Sequence, residues 1–122
     1  MARILVIDDD GQVRRTLRQV LELEGHQVTL AANGKEGLSA YGDGGADLVI
    51  TDIIMPEKEG LETIGELRRE NPAIRIIAIS GGGRMDPRSC LSLAREFGAG
   101  RTLLKPFDRE ELLAAVAEML GE

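Results

Sequence analysis

At 122 residues the chain is expected to form one domain, residues 1–122, with room for a single hydrophobic core. No apolar stretch approaches bilayer-spanning length, and the N-terminus lacks a signal-peptide pattern, so no membrane partner is expected. The net charge of −6 argues against direct contact with nucleic acid, and the lone Cys90 leaves no internal disulfide, which suits the cytoplasm.

In chain order, Ile4–Ile7 is a short apolar run that stops at three aspartates and reads as a strand buried on both faces. A helical stripe of Val13, Leu17, Val20 and Leu21 follows, with Gly25 at its stop position. Gln27–Ala31 alternates, with Val28 and Leu30 on one face, as expected of a half-exposed strand at a sheet edge. A short helix is expected near Gly34–Tyr41, then an apolar strand over 47–51 that ends at Asp52. A helix around Leu61–Glu70 is ended by Asn71-Pro72, and the next strand is Ile74–Ser80. Three glycines, 81–83, precede Asp86-Pro87, which looks like a helix start carrying Cys90, Leu93, Ala94 and Phe97 on its apolar face. A last strand near Leu103-Leu104 leads into Lys105-Pro106. Asp108 with Glu111 then opens a final helix like a capping box.

Five strands alternating with five helices predict an α/β fold of the doubly wound, flavodoxin-like kind. Right-handed crossovers give a parallel five-stranded sheet of order 2-1-3-4-5 with helices on both faces. The alternating second strand then lies at an edge. All carboxyl ends share one edge, and the topological switch point falls between strands one and three. Asp8, Asp9 and Asp52 should converge there, with Ser80 and Lys105 beside them.

Two like charges about 4 Å apart repel by roughly 4 kcal/mol at an effective dielectric near 20. Three carboxylates therefore need a raised pKa or a cation. An oxygen-only donor set favours a hard ion, Mg²⁺ or alternatively Mn²⁺, over zinc. Such a site would let Asp52 act as a nucleophile towards phosphorus, with Lys105 and the Ser80 hydroxyl contacting phosphoryl oxygens.

Asp8-Asp9 after a strand, Asp52-x-x-Met55-Pro56-x-x-x-Gly60, Ser80 after strand four and Lys105-Pro106-Phe107 together resemble the receiver domains of bacterial response regulators, over essentially the whole chain. The resemblance implies that Asp52 is the phosphoacceptor, charged by a histidine kinase or phosphotransfer protein, and that the phosphorylated form switches a surface for an output partner. It implies Asp9 and Asp52 as side-chain metal ligands, the Ile54 carbonyl as a third, Asp8 acting through water, and a cis peptide before Pro106. Stand-alone receiver and segment of a longer regulator or hybrid kinase both remain open.

Two positions depart from the family pattern. Thr102 stands where receivers commonly carry an aromatic switch residue. Ile54 and Gly82, two past Asp52 and Ser80, cannot orient a hydrolytic water, so slow to intermediate dephosphorylation is expected. Gly81–Gly83 is the expected hinge. An aspartate-nucleophile phosphohydrolase would need a second acid where Ile54 stands, so no turnover of an external substrate is expected. A flavin or nucleotide module would need a phosphate cradle where the three aspartates stand. A degenerate receiver that only mediates protein contact is the third alternative, and the complete acidic pocket argues against it. His26 reads as a solvated loop residue, Cys90 as a small core residue, and the Arg14-Arg15 and Arg68-Arg69 pairs as solvated helix faces.

Overall fold

The structure, a computed structural model, describes residues 2–53, 59–80, 92, 95, 96 and 98–121. Five strands, β1 (Arg3–Ile7), β2 (Gln27–Ala31), β3 (Leu48–Asp52), β4 (Ile76–Ser80) and β5 (Arg101–Leu104), form one parallel sheet of order β2-β1-β3-β4-β5. Four helices are described: α1 (Gly11–Leu23), α2 (Gly34–Gly44), α3 (Glu59–Glu70) and α4 (Arg109–Leu120). The expected strand order and edge position of β2 are both found.

The apolar runs occupy the positions that require them. β3 and β4 are buried along their whole length, whereas β2 alternates and β5 is partly exposed. Alternation along the strands divides the core into two layers. Leu5, Ile7, Val49, Ile76 and Ala78 face one side and pack with Ile64 and Leu67 of α3 and, less buried, Leu38 of α2. Ile4, Val6, Leu48, Ile50, Ile77 and Ile79 face the other and pack with Leu17 and Leu21 of α1 and Leu112 and Val116 of α4. Each fully buried aliphatic side chain contributes about 1.5–3 kcal/mol from removal of its surface from water.

Helix starts follow local chemistry. Asp10 caps α1, its carboxylate accepting from the amides of Gln12 and Val13. Asn33 caps α2 by accepting from Glu36, and Asp108 caps α4 by accepting from Glu111.

Apart from one-residue shifts at β1 and β3, the bounds differ from expectation in four places. α2 runs on to Gly44, where Gly45 turns out of the helix at φ 68°. α3 begins at Glu59, two residues early. β4 begins at Ile76 because Asn71 holds a turn: its carbonyl accepts from Ile74 N and its side chain from Ala73 N. Ile74 is buried all the same. β5 begins at Arg101, since Arg101 and Thr102 pair with Ile77 and Ala78 through backbone bonds that leave no hydropathy signal. The expected helix over 87–97, apart from Ser92, Arg95 and Glu96, lies outside the described residues, as do Gly81–Gly83, Met55 and Pro56. Among the described residues no helix is long and apolar enough to cross a membrane.

Candidate functional site

Three strands deliver polar side chains to the same end of the sheet. Asp8 follows β1, and its amide donates to the Ala31 carbonyl at 3.1 Å, so the β1–β2 ladder extends by one residue. Alternation puts Asp8 on the face of Ile4 and Val6. It likewise puts Asp52, the last residue of β3, on the face of Leu48 and Ile50. Lys105 follows β5 on the face of Leu103, fixed by a 2.7 Å bond from its amide to the Ser80 carbonyl. The peptide bond from Lys105 to Pro106 is cis, as the resemblance implied.

These side chains meet. Asp8, Asp9 and Asp52 each offer a carboxylate oxygen, and the three oxygens lie within 4.8 Å of one another. Asp8 and Asp52 are buried and Asp9 is exposed. The Lys105 ammonium donates to Asp52 Oδ2 at 2.9 Å and to Asp8 Oδ2 at 3.3 Å. Asp8 Oδ1 accepts from the Asp10 amide at 2.9 Å.

Burial pushes the Asp8 carboxyl above its ordinary range, and the neighbouring Asp52 charge adds to this; the Asp10 amide and Lys105 work the other way without cancelling it. Burial works to lower Lys105, yet Asp52 and Asp8 together hold its ammonium above the usual lysine value. One ammonium therefore pairs with two of the three clustered carboxylates. A divalent cation suits the remaining negative charge, and the donor set is all oxygen, with no thiolate or imidazole in the cluster. The residues present fit Mg²⁺.

The other expected site residues are placed less completely. Ser80 is at the same sheet edge and wholly buried, and its Oγ has no hydrogen-bond partner among the described residues. Alternation puts it on the opposite face, with Ala78. Thr102 is half-buried in β5 and pairs with Ala78. Ile54, expected to supply a carbonyl ligand, and Gly82 lie outside the described residues. Beside the acidic pocket, a groove of about 450 Å³ runs between α1 and the Lys105–Phe107 segment, lined by Asp10, Val13, Thr16, Lys105 and Phe107 among others.

Three expectations of solvated side chains give way. Arg14 Nη1 donates to the Asp8 carbonyl at 2.6 Å, because the first turn of α1 folds its guanidinium back over the β1–α1 turn. Arg68 reaches from α3 to the carbonyls of Pro72 and Gly98, and its Nε is buried. His26 Nδ1 accepts from the Ala2 amide at 3.1 Å, which ties the chain start to the β2 entry. For Arg14 the sequence did hold a signal: a cation in the first turn of a helix opposes the helix dipole and needs a local reason.

The model for the response regulator receiver domain matches residues 4–117. The chain is 36% identical over 119 residues to the transcriptional regulatory protein YkoG of Bacillus subtilis, covering 98% of this chain and 51% of that protein. It is 38% identical over 120 residues to the DNA-binding transcriptional regulator NtrC of Azospirillum brasilense, covering 98% and 24%. Among solved structures, a response regulator receiver domain protein from Clostridium thermocellum superposes with a TM-score of 0.90 at 30% identity, covering 99% of this chain and 95% of that one. The chain thus spans about half or less of the length of these two sequence relatives. NtrC is named as a DNA-binding protein, which conflicts with the expectation of no nucleic-acid partner. That expectation came from the charge of these 122 residues and bears only on their own surface. On the match of the family model over residues 4–117, and on a fold and an acidic pocket that agree with it, this chain belongs to the response regulator receiver domains of two-component signalling.

Proposed function

We propose that Asp52 is the phosphoacceptor of this receiver, that Asp9 and Asp52 with the Ile54 carbonyl would hold Mg²⁺ directly, and that Asp8 would act through water. The observation that carries this is the meeting of three carboxylates and the Lys105 ammonium at the carboxyl edge of β1, β3 and β5. The cation, when bound, supplies positive charge to the phosphoryl oxygens.

The chain's own residues divide the remaining work. An Asp52 carboxylate oxygen forms the new bond to phosphorus while the bond from phosphorus to the donor's leaving oxygen or nitrogen breaks; the leaving group keeps the electron pair and takes up a proton. Lys105 holds Asp52 in place before transfer, and its ammonium can then donate to a phosphoryl oxygen. The buried Ser80 hydroxyl, without a hydrogen-bond partner among the described residues, is a second donor of the right kind. Such donors act by positioning and charge stabilisation, which is most of what phosphoryl transfer requires. The groove beside Lys105 leaves space for the donor.

The family implies a histidine kinase as partner, and a phosphotransfer protein is the alternative donor. The phosphorylated state would act by binding one of two conformations more tightly, presenting a changed surface to an output partner. We place the domain in the cytoplasm, spanning residues 1–122, with Asp52 modified in its own phosphotransfer and no external substrate turned over.

The test is intact mass after incubation with acetyl phosphate, with and without Mg²⁺, for wild type and Asp52→Asn. One added phosphoryl group that requires both Mg²⁺ and Asp52 is the expected result. An adduct that persists in Asp52→Asn removes Asp52 from this role, and no adduct at all favours a receiver that acts by contact alone.

A further inference from the structure

We infer that Arg14 is a positioning residue of the acidic pocket: it fixes the main chain at Asp8 and so the direction in which Asp8 and Asp9 present their carboxylates. This rests on the reading of Asp8, Asp9 and Asp52 as a cation site.

Arg14 lies in the first turns of α1, where a positive side chain opposes the helix dipole. Its Nη1 nevertheless makes a short, charge-assisted bond of 2.6 Å to the Asp8 carbonyl. That carbonyl belongs to the peptide joining Asp8 to Asp9, so the guanidinium grips the unit from which the Asp9 side chain departs. The next peptide is held by the Asp10 amide, which donates to Asp8 Oδ1 at 2.9 Å, and Asp10 itself caps α1. Without the Arg14 bond, the carbonyl at the centre of this turn loses its side-chain anchor.

Gly11 supplies the space. A Cβ there would stand 3.2 Å from Arg15 Nη1 and 3.3 Å from Arg14 Nη2, so both guanidinium groups lie back over this glycine. Arg14 goes on to reach the turn, while Arg15 stays exposed.

Two effects of opposite sign meet in Arg14. As an anchor it strengthens cation binding by holding ligands in place; as a nearby positive charge it weakens binding by repulsion. The short, half-buried bond argues that the anchor wins, because groups that orient a metal's ligands commonly matter by 10–100-fold in affinity.

The experiment is calorimetric titration of the chelator-stripped protein with Mn²⁺, together with hydrogen exchange at the Asp10 amide. Arg14→Met is expected to weaken Mn²⁺ binding about tenfold and to speed Asp10 exchange, while Arg14→Lys, which keeps a charged donor, recovers most of the loss. Arg15→Met is expected to leave both readouts within about twofold, as an exposed side chain outside the turn. Should Arg14→Met fail to melt cooperatively, Arg14→Gln takes its place. Binding as tight as wild type, or tighter, in the neutral variant overturns the anchor role and leaves only charge. A wild type that binds no Mn²⁺ overturns the cation site itself, and the inference with it.

Discussion

Lys105 and Asp52 are 53 residues apart in sequence, yet the ammonium of one lies 2.9 Å from a carboxylate oxygen of the other. Asp52 is buried and Lys105 is about a quarter exposed, so the pair sits where solvent screens it only in part. The same ammonium reaches Asp8, which makes Lys105 the counterion of two buried carboxylates. Lys105→Met should therefore do two things. The rate of phosphoryl adduct formation from acetyl phosphate should fall about a hundredfold, as for loss of one preorganised charge donor. The thermal midpoint in chelator should also fall, with Mg²⁺ restoring part of it. Adduct formation at the wild-type rate would remove Lys105 from the chemistry.

The acidic pocket favours function at the expense of the cation-free fold. Because burial raises the Asp8 carboxyl above 3.8, its ionised form is less welcome in the folded chain than in the unfolded one. The sign follows: a raised carboxyl supports the fold in acid, where it is protonated, and that support is lost as pH rises through the folded-state value. Asp8→Asn, which stays neutral, should melt higher than wild type at pH 7 in chelator. The gap should narrow as pH falls towards 3.8, the ordinary carboxylate value. With Mg²⁺ present the wild type should recover ground that Asp8→Asn does not. A variant that melts lower at pH 7 in chelator would show that the ionised Asp8 stabilises the cation-free fold.

The strands and the convergence of Asp8, Asp9, Asp52 and Lys105 were legible because apolar runs and their polar ends are local signals, which a parallel topology then converts to one edge. The start of β5 was not, since Arg101 and Thr102 join the sheet through backbone pairing with Ile77 and Ala78. Arg14 and Arg68 looked like ordinary helix-surface charges. Which carbonyl a long side chain reaches depends on tertiary placement: Asp8 lies six residues before Arg14, but Gly98 lies thirty beyond Arg68. Ser80 stands between these cases. Its position at the edge was readable, while the complete burial of its hydroxyl was not.

Gly60 belongs to the motif that begins at Asp52, and space rather than backbone conformation explains it. A Cβ at this position would stand 2.4 Å from Ile53 Cα and 2.6 Å from the Asp52 carbonyl, both backbone atoms that no rotamer change can clear. The first turn of α3 is thus seated directly on the end of β3, immediately behind Asp52, the proposed phosphoacceptor. Gly60→Ala should cost about 1–3 kcal/mol in urea unfolding through overpacking, and should slow adduct formation by displacing Asp52. Wild-type stability in this variant would mean that α3 does not sit this close.

Asp10 adjoins Asp8 and Asp9 in sequence but does different work. Its Oδ1 accepts from Gln12 N at 2.8 Å and Val13 N at 3.4 Å, so the carboxylate is committed to the start of α1. The acid cluster is formed by Asp8, Asp9 and Asp52 without it. Asp10→Ala should cost about 1 kcal/mol of stability, as removal of an N-cap does, and Asp10→Ser should recover most of that. Affinity for Mn²⁺ should change much less in Asp10→Ser than in Asp9→Asn, because serine keeps the cap that fixes the turn whereas Asp9→Asn removes a proposed ligand charge. Equal losses of Mn²⁺ affinity in these two variants would place Asp10 among the cation ligands. A stability loss that serine fails to recover would mean that the negative charge, and not the cap bond, is what α1 requires.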